Sequence, residues 1–239
     1  MFRFLPVCLA LVGGLLSGPR PAAAQTVIEK SAPVGAGQSV ALELKFASSI
    51  RVRPAADGQL RVRATVSINQ NKLNDAFSMR LTEAGSTVTV AADLDKNRLA
   101  QAQPSDCPDS TSHSYYGDWK KGRPAPVCAD LTYDVTLPAG TALRITTIDG
   151  NIDVQGLTGE LQAKSISGFV DVSWPAARGA SVALKTISGE VYTDQDVAFS
   201  NRRDNPIVGY EVKGTLAGGS GPALRLESIS GDVFFRRAK

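Results

Sequence analysis

The chain has 239 residues, with 26 Lys and Arg against 23 Asp and Glu and a formal net charge of +3. At roughly 100–200 residues per domain this is one domain or two small ones, and 43% apolar with 21% charged residues excludes a disordered chain. The near-neutral balance speaks against a nucleic-acid binder, which carries a basic excess or cluster. A single His argues against a His-based metal site and against His-driven catalysis.

Residues 1–24 read as a secretory signal peptide. Arg3 is the short positive start, Leu5 to Leu16 the apolar core, and Ala22-Ala23-Ala24 the small-residue cleavage pattern before Gln25. The apolar run is too short to cross a bilayer core of about 30 Å. Cys8 lies inside that core and should leave with it. No later stretch is apolar enough to span a membrane. Residues 25–239 are therefore expected as one exported domain, in the periplasm, at the cell surface or secreted. Cys107 and Cys128 remain, and an even pair in an oxidising compartment is expected to bond. The loop of about 20 residues so closed corresponds to roughly 3 kcal/mol of chain entropy. Two cysteines and a distant His are too few for a metal site, and the C-x-x-C spacing of a redox pair is absent.

The mature chain alternates apolar and polar residues. Val40, Leu42, Leu44 and Phe46 do so, as do Leu60, Val62, Ala64 and Val66, then Val88 and Val90, then Leu131, Tyr133, Val135 and Leu137. Period two predicts strands with one buried face. Ala56-Asp57-Gly58, Asn69-Gln70-Asn71 and Pro138-Ala139-Gly140 punctuate them as turns. Residues 72–81 are the one stretch that could form a short helix, although Met79 and Leu81 fit a strand as well.

The C-terminal half repeats. Leu143–Ile152, Leu161–Val170, Val182–Val191 and Leu224–Val233 align without gaps on the pattern Leu-x-Ile/Leu-x-Thr/Ser-Ile-Ser/Asp-Gly-x-Val. A degenerate copy is expected between the last two, at Ile207-Val208-Gly209. A period near 20 with strands predicts an all-β fold, a β-solenoid of stacked coils. Ile148, Ile166, Ile187 and Ile229 are expected as one inward ladder, and Ile152, Val170, Val191 and Val233 as a second. Thr147, Ser165, Thr186 and Ser228 then mark a bend. The glycines suit either a corner with positive φ or a wall too close for a side chain. The alternative is a β-sandwich with similar strands.

The same repeat, preceded by Leu137-Pro138-Ala139-Gly140, resembles the bacterial "putative adhesin" domains of unknown function, relatives of the head-GIN and toast-rack domains. The resemblance covers residues 131–239 well and 26–94 loosely. It implies a β-solenoid of the cell envelope with no agreed activity and no catalytic residues to carry over. The polar insertion beginning at Ser105 departs from that family.

No catalytic constellation stands out. His113 lies in the insertion, away from rigid support. Asp149, Asp153, Asp171, Glu190 and Asp232 could approach one another on a stacked face, but outward positions beside turns are commonly polar. The calcium-binding nonapeptide and the phosphate loop are absent. No catalytic, cofactor or metal residue is expected. Two surface features remain. Arg51, Arg53, Arg61 and Arg63 fall on outward positions of consecutive strands and would form a basic patch for anionic glycans or headgroups, or else edge charges that discourage aggregation. Tyr115, Tyr116 and Trp119 sit on the disulfide-closed insertion at 105–128, exposed for contact or folded over an open end of the solenoid. The expected function is a non-catalytic envelope adhesion or interaction module with a glycan or protein partner. The alternative is a carbohydrate-binding or polysaccharide-active, lyase-like protein.

Overall fold

A computed structural model of the chain describes residues 25–107, 114–116, 125–201 and 210–238. The signal segment 1–24, His113, Trp119 and Ile207-Val208-Gly209 lie outside the described residues. The first half contains β1 (Thr26–Pro33), β2 (Ser39–Leu44), β3 (Phe46–Ala55), β4 (Gln59–Ile68), β5 (Phe77–Ala84), β6 (Thr87–Leu94) and the one-turn α1 (Lys96–Leu99). Then come β7 (Ser114–Tyr116), β8 (Ala125–Val127), β9 (Ala129–Pro138) and the long β10 (Ala142–Gln155). The rest is β11 (Leu161–Ser167), β12 (Val170–Trp174), β13 (Ala180–Thr186), β14 (Val191–Thr193), β15 (Val197–Phe199), β16 (Tyr210–Leu216), β17 (Ala223–Ser228) and β18 (Val233–Arg237). The fold is all-β. Apart from the small β7–β8 hairpin, these strands form one large branched sheet.

The branch point is β10. Its first half pairs in parallel with β2 and β11, its second half with β3 and β12. One limb runs β5-β6-β2-β10-β11-β17-β13-β16-β15, the other β1-β4-β9-β3-β10-β12-β18-β14. Successive strand pairs are thus turns of one motif: β2–β3, the two halves of β10, β11–β12, β17–β18 and β13–β14. The stacking order departs from the chain order. The last repeat lies between the second and third, because β17 pairs with both β11 and β13. Where a degenerate coil was expected, the described parts of 197–216 form an antiparallel hairpin, β15–β16. It covers the free edge of β13 and buries Val212 and Leu216.

The parallel registers align the repeats residue for residue. Leu143, Leu161, Leu224 and Val182 make one buried rung, and Ile145, Ala163, Leu226 and Leu184 the next. In the other limb Ile152, Val170 and Val233 are buried in register, with Val191 half-buried at the end, as expected from the repeat. Each fully buried Leu, Ile or Val among these contributes roughly 1.5–3 kcal/mol by leaving water.

The other predicted ladder is reversed. Ile148, Ile166 and Ile187 are 44%, 40% and 41% exposed, and Ile229 is half-exposed. Their preceding hydroxyl residues, Thr147, Ser165, Ser228 and Thr186, are the buried ones. Alternation is not broken before the Ile; it continues through the Ser or Thr. The hydroxyls are tolerated inside because each has a partner. Ser165, Ser228 and Thr186 donate to the carbonyls of Gly150, Gly168 and Gly231 in the neighbouring turn, at 2.9, 2.7 and 2.8 Å. Thr147 donates to Asp149 within its own turn at 2.7 Å. The glycines serve both expected purposes. Gly150 and Gly168 have φ of +131° and +134°, and a Cβ on Gly168 would fall on the carbonyl of Gly150.

Residues 72–81 do not form a helix. A single 3-10 turn at Asn74–Ala76 leads into β5, which lays Phe77 and Met79 inward against β6. Asn69, Gln70 and Asn71 form the expected turn with three consecutive left-handed backbones, φ +48°, +56° and +67°.

Candidate functional site

β6 and β9 together form one more turn, beneath β2–β3, and the chain between them leaves at the corner. That excursion carries the Cys107–Cys128 disulfide, with Cα atoms 5.9 Å apart. Fully buried Asn69 anchors it. Asn69 Oδ1 accepts from the Cys128 amide at 2.9 Å, and its Nδ2 donates to the Pro126 carbonyl at 3.4 Å. Lys72 bonds Asp106 at 2.6 Å and holds its carboxyl below the usual carboxylate range, aided by the Gln103 amide. Tyr115 and Tyr116 lie on β7, paired with β8; their side chains, like Trp119, are outside the described residues. A cleft of ≈ 620 Å³ separates this anchored segment from the glycine corner, bordered by Gln70, Cys128, Asp130, Asp149, Gly150 and Ser167.

The four arginines do not form a continuous basic patch. β9 lies between β3 and β4 and places Asp134 between Arg51 and Arg63, and Thr136 between Arg53 and Arg61. Each guanidinium has its own carboxylate: Arg51–Asp134 at 2.9 Å, Arg53–Asp153 at 2.8 Å, Arg63–Glu29 at 3.6 Å, and Arg61–Asp57. Two separated runs of alternating residues cannot reveal a third strand from later in the chain interposed between them.

That interposition produces a single outward row across eight strands: Glu29, Arg63, Asp134, Arg51, Asp153, Asp171, Phe234 and Tyr192. It alternates in charge at one end and is aromatic at the other. Asp153 and Asp171 are neighbours, whereas Asp149 lies in a row nearer the corner. Burial pushes the Asp171 carboxyl up, and Asp153 adds to this, while Arg236 at 3.0 Å counteracts it. Glu190 and Asp232 meet elsewhere, where Asp232 Oδ1 accepts from the Glu190 amide at 2.9 Å.

The aromatic end is ordered. Tyr192 stacks on Phe234 with centroids 5.1 Å apart and planes 11° apart, and Phe169 meets Phe234 edge-on at 6.0 Å. Arg236 lies 4.6 Å over the Phe234 ring. The Tyr192 hydroxyl donates to Glu190 at 2.5 Å, which raises its pKa. In sequence, Ile166 precedes Phe169 and Ile187 precedes Tyr192 across the glycine corner at Gly168 and Gly189. Of the six large apolar side chains exposed among the described residues, five belong here: Ile148, Ile166, Phe169, Ile187 and Tyr192. Only Val27 lies elsewhere. Sequence reasoning missed this strip because it assigned the isoleucines to the core. The signal was present as an unbroken period of two through Ser165 and Thr186.

Among the described residues no group of three His, Cys, Asp or Glu could hold a metal ion, and no helix is long and apolar enough to cross a membrane.

No protein-family model matches the chain, and no curated protein matches it. Solved structures do. A "putative cell adhesion protein" from Clostridium sporogenes is similar over 90% of this chain and 100% of its own, with TM-score 0.50 and 10% identity. A "putative adhesin" from Bacteroides fragilis covers 90% of this chain and 99% of its own at 11% identity, with TM-score 0.30. The first of these likenesses is one of fold.

Proposed function

We propose that this protein is an exported β-solenoid of the bacterial cell envelope, acting by adhesive contact and not by catalysis. The parallel, residue-for-residue stacking of successive turns supports the solenoid reading. The disulfide and the fold likeness to a "putative cell adhesion protein" support an envelope setting. The observation that carries the function is the gathering of Ile148, Ile166, Phe169, Ile187 and Tyr192 on one outer corner. Apolar side chains clustered in this way mark interaction surfaces. The insertion closed by the disulfide departs from the sheet at its corner edge, and Tyr115, Tyr116 and Trp119 join the proposal on the sequence alone. Arg51, Arg53, Arg61 and Arg63 are paired and serve the fold's outer face.

The test compares fluorescently labelled wild type with an Ile166→Ser/Phe169→Ser double variant for retention on bacterial envelope preparations. The variant should lose binding by about tenfold, the scale of two exposed apolar contacts. Equal retention of both proteins would rule the reading out.

A further inference from the structure

We infer that the outer face beside the corner binds an uncharged glycan chain, an inference that rests on the contact function proposed above and assigns it a ligand. A cleft of ≈ 770 Å³ opens on this face at the strand ends away from the corner, lined by Arg53, Gln155, Asp171, Ser173, Arg236 and Arg237. It adjoins the aromatic row through Arg236, which borders the cleft and also covers Phe234. Polar and aromatic recognition elements therefore meet on one surface.

The charges select the ligand class. Arg53 is bonded to Asp153 at 2.8 Å, and Arg236 to Asp171 at 3.0 Å; the Asp194 carboxylate accepts from the Arg237 amide at 2.7 Å. The guanidinium groups of Arg53 and Arg236 flank the neighbouring carboxylates of Asp153 and Asp171, so an ion of either sign meets a like charge beside its partner. A sugar hydroxyl donates and accepts at once, and it finds both here, with Gln155 and Ser173 between the ion pairs. The C–H faces of pyranose rings need an apolar plane. Tyr192 supplies it: one ring face stacks on Phe234, and the other lies beyond β14, at the end of the limb. The rows cross the strands at a spacing of about 4.8 Å, which gives a repeating surface suited to a polymer and not to a compact metabolite.

The experiment is an amide NMR titration of residues 25–239 with hexasaccharides of glucose and of N-acetylglucosamine, and with a galacturonate hexamer as the charged arm. Shifts at Tyr192, Phe234 and Arg236 with a neutral hexamer, unchanged on raising the salt, are expected. Tyr192→Ala, an exposed position that the fold tolerates, should weaken binding about fivefold or more, and Val27→Ser, exposed but outside the strip, should leave it unchanged. Absence of shifts with both neutral hexamers, binding only of galacturonate with a strong salt dependence, or undiminished binding by Tyr192→Ala overturns the inference. If the neutral hexamers fail while Ile166→Ser/Phe169→Ser still weakens envelope retention about tenfold, the glycan assignment falls and the contact function stands.

Discussion

The Ser165 hydroxyl, fully buried, donates at 2.9 Å to the carbonyl of Gly150 in the adjacent turn. This bond ties two turns together where the ladder bends, and it sends the next residue, Ile166, to the outside. Ser165→Ala leaves that carbonyl without the hydroxyl and should destabilise by about 1–2 kcal/mol. Ile166→Ser should cost no more than about 0.5 kcal/mol. Urea unfolding midpoints of the two variants measure the difference, and the reverse ranking would overturn the orientation of the corner.

Ile187 and Leu184 offer the same comparison with a charge. Leu184 is fully buried in register with Leu226, whereas Ile187 is 41% exposed. Leu184→Asp should prevent folding, because a buried carboxylate without a partner costs several kcal/mol. Ile187→Asp should fold with a midpoint close to wild type. Circular dichroism of both proteins is sufficient.

Much of the fold is legible in the sequence, and the errors have a common origin. Alternation locates the strands, and the four-fold repeat fixes which positions align, because identical spacing forces in-register rungs such as Ile152, Val170 and Val233. The spatial order is not legible, since nothing local makes β17 insert between β11 and β13. Nor is the inward placement of Ser165, Thr186 and Ser228. Hydropathy ranks Ile above Ser for the interior, and the carbonyls that satisfy the hydroxyls belong to other turns. Both errors hide the candidate site, which exists only because the isoleucines face out and because the last repeat brings Phe234 between Phe169 and Tyr192.

Gly168 faces two constraints together, a φ of +134° and the carbonyl of Gly150 where a Cβ would stand. Gly168→Ala should destabilise by about 2–4 kcal/mol. Gly140, with open space around its Cβ position, should accept Ala at a cost of less than about 1 kcal/mol. Thermal melts of the pair test the close approach of the turns.

The disulfide segment should depend on Asn69 as well as on its own bond. Asn69→Ala removes the acceptor for the Cys128 amide and should cost about 1–3 kcal/mol. Reduction of Cys107–Cys128 should lower stability by up to roughly 3 kcal/mol without dissolving the sheet, because none of the turns from β10 to β18 contains either cysteine. Far-ultraviolet dichroism that collapses on reduction would contradict this.

Glu227 lies between Lys164 and Lys185, at 3.2 and 3.5 Å. Burial pushes its carboxyl up, but the two lysines outweigh burial and hold the pKa below the ordinary value. A depressed folded-state pKa contributes stability above the unfolded value that is lost as pH falls through the folded one. Glu227→Gln should therefore be less stable than wild type near pH 7, by about 0.5–1 kcal/mol. The gap should close in the acid range, below the ordinary Glu pKa of about 4.3. A constant gap from neutral to acid pH would show that the ion pairs are not its source.

The outer corner strip as the contact surface is tested most directly by covalent footprinting of the protein with and without bacterial envelope preparations. The account predicts protection at Ile148, Ile166, Phe169, Ile187 and Tyr192 on addition of the envelope, with Val27, an exposed apolar residue outside the strip, labelled equally in both samples. Protection confined to other surfaces, with the five strip residues labelled as before, would contradict it.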